Sequence, residues 1–183
     1  MSSHRATRLY ALDTAYISLG VALIAVCSFL TVPAVIPFTL QTFAVCTVLG
    51  ILGGKRGTVA ILVYLAIGSI GVPVFAGMQG GIGVLLGPTG GFLWGFLLMG
   101  LCYLLLVRRT ASHSFIPAML ALIIGHLLCY AVGALWYAYY AGTDLGAALL
   151  ACVVPFLIPD AIKLAVSLPV SRAVRTHVPG LLQ

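Results

Sequence analysis

The chain has 183 residues, of which 62% are hydrophobic and only 7% charged, and its mean hydropathy is +1.21. Ordinary soluble domains contain about 25% charged residues, so this composition excludes both a soluble globular domain and a disordered chain. Nine Lys and Arg against three Asp and Glu give a net charge of +6, but the basic residues are scattered, which disfavours a nucleic-acid-binding surface. The composition therefore predicts an all-α integral membrane protein with a single domain, residues 1–183.

A helix that spans a membrane needs roughly 20 apolar residues. Turn residues and charged pairs divide the chain into six predicted transmembrane helices. In chain order the predicted spans cover Leu9–Phe29, Thr39–Leu52, Thr58–Gly71, Phe92–Val107, Phe115–Tyr140 and a stretch from within Gly146–Pro159 to about Val174. A glycine-rich loop, Val72–Gly91, separates the third span from the fourth.

The positions of the basic residues support this count of spans. Eight of the nine lie at the N-terminus, between the second and third spans, between the fourth and fifth, or at the end of the sixth: Arg5, Arg8, Lys55, Arg56, Arg108, Arg109, Arg172 and Arg175. The intervening loops, residues 31–38, 72–91 and 141–146, contain no Lys or Arg. Because loops rich in Lys and Arg stay in the cytoplasm, both termini are predicted to be cytoplasmic and the glycine-rich loop external.

Two ionisable residues, Asp160 and Lys163, fall within the sixth span. Ionisable side chains at membrane depth are costly and commonly mark a functional site. Residues three apart on a helix share a face, so the two side chains can form an ion pair. Pro159 suits the first turn of a helix, where the adjacent carboxylate faces the positive end of the helix dipole. We interpret the pair as a binding site in the outer half of the membrane, with a purely structural ion pair as the alternative.

The glycine-rich loop has too many large apolar residues to be a free linker. Glycine lets backbone amides approach a ligand closely, and Gln79 adds a neutral donor and acceptor. The loop is predicted to fold back as a lid on the external side, with Phe75, Gly77 and Gln79 among the ligand contacts.

An aromatic run that includes Trp136 and Tyr137 ends the fifth span on the same side. Such runs commonly form a belt at the membrane interface. The sequence leaves open whether these rings belong to that belt or also line the binding pocket, and we include Trp136 and Tyr137 among the candidate contacts.

Small residues recur along one face of the first span, at steps of three and four positions. They are Ala11, Ala15, Ser18, Ala22 and Ala25. In lipid, a smooth face of this kind allows another helix to approach closely. The sequence leaves two interpretations open: docking of a partner protein, or packing against another span of the same chain.

Other reactive side chains do not form a recognisable site. The five cysteines share no CxxC spacing and lie in apolar stretches, and His126 stands alone in the fifth span. We interpret these residues as packing residues. The segment Gly54–Thr58 lacks the spacing of a phosphate-binding loop. No catalytic residue, metal site or cofactor is therefore predicted.

Five segments occur in a fixed order along nearly the whole chain: Thr39-Leu40-Gln41-Thr42, Gly53-Gly54-Lys55-Arg56-Gly57-Thr58, Val72-Pro73-Val74-Phe75-Ala76-Gly77, Gly87-Pro88-Thr89-Gly90-Gly91 and Pro159-Asp160-x-x-Lys163. Together they resemble the BioY family, the substrate-binding S components of biotin transporters of the energy-coupling-factor (ECF) type. The resemblance implies six helices and a biotin pocket near the external face of the bacterial cytoplasmic membrane. It also implies coupling to a membrane T component and two cytoplasmic ATPases, although some family members work without a T component.

The resemblance further implies roles for individual residues. Asp160 and Lys163 match the Asp and Lys that contact biotin in that family, and Gln79 corresponds to a polar residue of the glycine loop. The small face around Ala11 and Ala15 corresponds to the surface that docks on the T component. Biotin carries two ureido N–H groups, a carbonyl and a carboxylate, which suit an Asp and a Lys. Gln41 is a further candidate contact.

Two alternatives from other classes remain at this stage. One is an S component for a different vitamin, such as thiamin or riboflavin. The other is a membrane-embedded enzyme that uses Asp160 as a general base, which the sequence disfavours because no His or Ser is visibly placed beside it.

Overall fold

A computed structural model of the chain describes residues 3–34, 36–107 and 115–178. Within these ranges lie seven α-helices and two short strands, which we number in chain order: α1 (Ser3–Phe29), β1 (Thr31–Val32), β2 (Phe38–Thr39), α2 (Gln41–Ser69), α3 (Ile82–Leu86), α4 (Gly90–Val107), α5 (Phe115–Ala141), α6 (Leu145–Cys152) and α7 (Leu157–His177). Two 3-10 turns, Ala76–Met78 and Val154–Phe156, complete the regular structure of this part. Arg108 and Arg109, which support the predicted topology, lie outside the described residues.

Five stretches of these residues are long and apolar enough to cross a membrane. They are Tyr10–Phe29, Gln41–Ser69, Gly90–Val107, Phe115–Ala141 and Leu145–His177. The sequence predicted six spans, and the difference lies in α2, which contains the second and third of them.

Helix α2 reverses its direction at Gly53. This residue has φ 76° and ψ 176°, a backbone conformation that glycine adopts without steric cost. The reversal brings Nε2 of Gln41 to 2.7 Å from the hydroxyl of Tyr64. In a straight helix these residues would be about 35 Å apart. Residues 41–52 and 54–69 therefore form two antiparallel arms, which we call the first and second arms of α2.

The sixth predicted span is interrupted near its start. Val153 leaves the helical conformation at φ −122° and ψ −53°, and Pro155 lies in the 3-10 turn that follows. Since proline has no N–H to continue a helix, the chain breaks here into the short α6 and the long α7. The sequence did not predict α6 as a separate helix. Asp160 lies in the first turn of α7, as predicted.

Helix α7 packs tightly against the first arm of α2. Ser171 Oγ donates to Thr47 O at 3.2 Å, and a Cβ at Gly50 would collide with the Ser171 side chain. Nearer the C-terminal end of α7, Arg175 Nε donates to Ile51 O at 2.8 Å. These contacts hold α7 against the first arm of α2. The opposite end of that arm lines the candidate site.

Helix α1 packs on α2 through one face and leaves four of its five small residues exposed on the other, whereas Ala25 packs against the core. A Cβ at Gly20 would lie 3.1 to 3.3 Å from side chains of α2. Asp13 forms an ion pair of 2.6 Å with Arg56. The predicted docking residues are all exposed: Ala11, Ala15, Ser18 and Ala22. The described part of the chain therefore does not cover this face, in contrast to the alternative of internal packing.

Replacing Gly54 by alanine is expected to destabilise the fold. An added Cβ would lie 2.6 Å from Cα of Leu104, so α4 would have to move away from the second arm of α2. Overpacking of this kind costs about 1–3 kcal/mol, which thermal unfolding of the detergent-purified protein measures as a lower melting temperature. Gly83→Ala is the matched control, because no described atom comes within 4 Å of its added Cβ. Equal melting temperatures for the two variants would contradict this packing.

Candidate binding site

A cavity of about 250 Å³ lies among α2, α4, α5, α7 and the two loops at one end of the helices. Its polar lining residues are Thr31, Thr39, Gln41, Thr42, Gln79, Thr89, His126, Tyr130, Asp160 and Lys163. Its other walls are mainly apolar and include Ile36, Phe75, Val84, Phe92, Leu93, Phe96 and Phe156. The cavity suits a small, largely apolar molecule with a few polar groups.

Asp160 and Lys163 form the predicted ion pair in the wall of this cavity. Lys163 Nζ lies 2.8 Å from Asp160 Oδ1, and the two residues are only 8% and 4% exposed respectively. Both side chains come from the start of α7, one helical turn apart. Because an isolated buried charge is strongly disfavoured, each residue needs the other and further hydrogen bonds to be stable here.

Three other side chains surround the Asp160 carboxylate. The Tyr130 hydroxyl donates to Oδ2 at 2.7 Å, and the Thr42 hydroxyl donates to Oδ1 at 3.1 Å. His126 Nε2 lies 3.3 Å from Oδ2, and its ring meets that of Tyr130 edge to face. Helices α2, α5 and α7 therefore converge on a single carboxylate.

The Lys163 ammonium is also held by β2 and by the start of α2. Its Nζ donates to Thr39 O at 2.6 Å and to Thr42 Oγ1 at 3.2 Å. It also lies 3.9 Å from the centre of the Phe38 ring, a cation–π contact. Phe38 in turn stacks on Phe156 with 6.0 Å between ring centres.

Two loops cover the cavity and are tied to each other. Ser28 Oγ donates to Val74 O at 2.6 Å, and Gly77 N donates to Thr31 Oγ1 at 3.4 Å. Phe75 is almost completely buried and meets Tyr64 edge to face at 5.5 Å. Residues of the glycine-rich segment and of the loop after α1 thus both line the cavity.

The structure brings six of the eight predicted contact residues to the cavity. They are Gln41, Phe75, Gly77, Gln79, Asp160 and Lys163. Gln41 is buried, whereas Gln79 is exposed at the rim.

Trp136 and Tyr137 do not belong to this lining. Trp136 Nε1 donates to Gly87 O at 2.9 Å, and its side chain packs on the backbone of Gly91. These contacts turn the Trp136 side chain toward the start of α4. Neither Trp136 nor Tyr137 is among the residues that line the cavity, so the inclusion of both residues among the contacts needs correction.

Sequence reasoning missed several residues of the site. His126 was interpreted as a packing residue, and Tyr130 was not singled out. Thr42 was named only as part of the segment Thr39-Leu40-Gln41-Thr42, with no role of its own. A signal was available in α5, where His126 and Tyr130 are four residues apart and share one helix face. No pattern indicated that Phe38 and Thr39 contact Lys163, because their position depends on the pairing of β1 with β2.

The sequence that forms this site matches a known protein family. The model of the BioY family matches residues 2–180. The chain belongs to the BioY family. This match extends over all the helices described above, so it includes the ion pair, the cavity and the two loops that line it.

Individual relatives agree with the family match. The chain is 43% identical over 158 residues to biotin transporter BioY2 of Lactococcus lactis subsp. cremoris, covering 86% of this chain and 85% of the relative. It is 39% identical over 147 residues to biotin transporter BioY of Thermotoga maritima, covering 80% and 85%. A solved structure, described as the S component for biotin from an ECF-type ABC transporter, superposes with a TM-score of 0.80 at 26% identity. It covers 96% of this chain and 95% of that chain.

Proposed function

We propose that this BioY-family protein is the biotin-binding subunit of an uptake transporter and captures biotin from the external side of the membrane. The observation that carries the proposal is the buried Asp160–Lys163 pair in the wall of a mainly apolar cavity, in a chain whose relatives are named biotin transporters. Those relatives are transporters, which supports a carrier rather than a membrane-embedded enzyme.

The cavity matches the chemistry of biotin. The aromatic and aliphatic walls suit the thioether ring and the valerate chain, and Thr39, Thr42, His126 and Tyr130 contact the Asp160–Lys163 pair in the lining. A buried site that offers both a carboxylate and an ammonium suits a ligand with N–H donors and a carbonyl. Gln41, held by its 2.7 Å hydrogen bond to the Tyr64 hydroxyl, is a further contact.

The protein is proposed to cross the bacterial cytoplasmic membrane six times, with the two arms of α2 as separate spans and both termini cytoplasmic. The positions of Lys55, Arg56, Arg172 and Arg175 support this orientation, because they lie at the ends of helices opposite the cavity. The glycine-rich loop is then external, which gives biotin access to the cavity from outside.

Uptake is proposed to depend on a membrane T component and two cytoplasmic ATPases, with solitary transport as the alternative. The exposed small face of α1 is the proposed docking surface for the T component. Its short side chains allow a partner helix to approach closely in lipid, where additional apolar bulk gives no advantage over lipid tails.

Ligand profiling of the purified protein tests the proposed function. In detergent, biotin is expected to raise the melting temperature in proportion to the logarithm of its concentration, whereas thiamin and riboflavin leave it unchanged. Isothermal titration calorimetry then gives the stoichiometry and affinity. A shift with another vitamin and none with biotin would overturn the proposal.

A further inference from the structure

The hydrogen-bonding capacity of the Asp160–Lys163 pair is already filled by protein groups. An ammonium has three N–H donors, and Lys163 directs them at Asp160 Oδ1, Thr39 O and Thr42 Oγ1, at 2.8, 2.6 and 3.2 Å. The carboxylate in turn contacts Lys163, Thr42, Tyr130 and His126. A polar group of a ligand therefore reaches either charge only by displacing one of these partners.

Thr42 is the partner that a ligand can displace from both charges at once. Its two hydrogen bonds, 3.1 and 3.2 Å, are longer than the 2.6 Å bond to Thr39 O and the 2.7 Å bond from Tyr130. The 3.3 Å contact of His126 is longer still, but it reaches Asp160 alone, and that ring is buried against Tyr130. The Thr42 side chain is half-buried and lines the cavity. Rotation about one side-chain bond moves the hydroxyl to another staggered position, whereas the Thr39 carbonyl is fixed in the backbone of β2.

The Thr42 hydroxyl also makes the same kinds of hydrogen bond to the pair that a polar group of a ligand would make. It donates to Asp160 and accepts from Lys163 at the same time. A neutral group with an N–H next to a C=O, such as a cyclic urea, can replace both bonds at once. A carboxylate cannot donate to Asp160, and it would place a second negative charge beside that residue.

We infer that Thr42 is an internal competitor of the ligand: its hydroxyl bridges Asp160 and Lys163 and must be exchanged for the N–H and C=O of a urea-like group. Thr42 is thus a positioning residue: without a ligand, it completes the hydrogen bonds of Asp160 and Lys163 and thereby lowers the affinity of the site for its ligand. The inference rests on the proposed function, because biotin supplies the urea-like group.

Thr42→Val tests this inference, since valine keeps the shape of threonine and removes the hydroxyl. With nothing to displace, biotin is expected to bind about three- to tenfold more tightly, the effect of one net hydrogen bond. Without ligand the variant should unfold at a lower temperature than the unmodified protein, because Asp160 and Lys163 each lose a partner. With saturating biotin the two melting temperatures should converge.

Two controls separate this effect from a general loss of packing. Thr42→Ser keeps a hydroxyl and should leave the dissociation constant within about twofold. Thr47→Val makes the same change five residues further along the first arm, where Oγ1 of Thr47 is buried and has no partner among the described residues. It should leave the affinity unchanged. If Thr42→Val does not fold, Thr42→Ala carries the same expectation.

Calorimetric titration with biotin decides the outcome. Weaker binding by Thr42→Val would show that the hydroxyl contacts the ligand directly, and an unchanged dissociation constant would show that it stays in place. Either result overturns the inference while the proposed function stands. If the unmodified protein does not bind biotin, the proposed function is overturned and this inference with it.

Discussion

The substitution Asp160→Asn is expected to lower the affinity for biotin by about 100-fold or more, while the protein still inserts and folds. Asparagine removes the negative charge and leaves Lys163, which is 8% exposed, without its ionic partner. It also offers one acceptor oxygen in place of the two that contact Lys163 and Tyr130. Calorimetric titration with biotin measures the effect.

Two further variants show that the loss comes from the site itself. Asp144→Asn makes the same chemical change at an exposed residue that caps α6, so biotin binding should be unaffected. The double substitution Asp160→Asn with Lys163→Met removes both charges, and it should recover thermal stability without recovering binding. Full affinity in Asp160→Asn would show that the pair is only structural.

Ala15→Trp is expected to abolish co-purification with a T component and to leave biotin binding intact. Ala15 is exposed on α1, at the centre of the small face, and points away from the side that packs on α2. A tryptophan there prevents close approach of a partner helix, so recovery of the T component should fall by about tenfold or more. Pull-down from co-expressing cells, followed by quantitative immunoblotting, measures the recovery.

Ala131→Trp is the matched control for this experiment. Ala131 is also exposed to the surroundings of the protein, but it lies on α5. The same substitution there should leave the complex intact. An undiminished complex with Ala15→Trp would show that the T component docks elsewhere, and equal loss in both variants would indicate a general effect of tryptophan.

The helices could be predicted from the sequence because their boundaries have local causes. α4 and α5 begin and end within two residues of the prediction, next to glycines, prolines and charged residues. The break between the second and third spans was predicted from the glycine pair and the Lys and Arg that follow Leu52, but the helix already resumes at residue 54, so that only Gly53 is non-helical. The separate helix α6 was not predicted, because the break depends on the combined conformations of Val153 and Pro155 in an otherwise continuous apolar stretch.

The ion pair was predictable, but its surroundings were not. Asp160 and Lys163 are three residues apart on one helix, so their contact follows from helix geometry alone. Thr42 and Tyr130 reach the same carboxylate from positions 118 and 30 residues away in the sequence. Only the packing of α2, α5 and α7 brings them together. Trp136 failed as a predicted contact for the same reason, since its orientation depends on how α5 rotates against α4.

The walls of the cavity come from segments far apart in the sequence, from Thr31 after α1 to Lys163 in α7. A molecule that fills it contacts segments that must separate when the protein unfolds. A bound ligand therefore holds these segments together, and its contribution to the free energy of unfolding grows with the concentration of the vitamin. The supply of biotin would therefore also affect how long the protein remains folded in the cell.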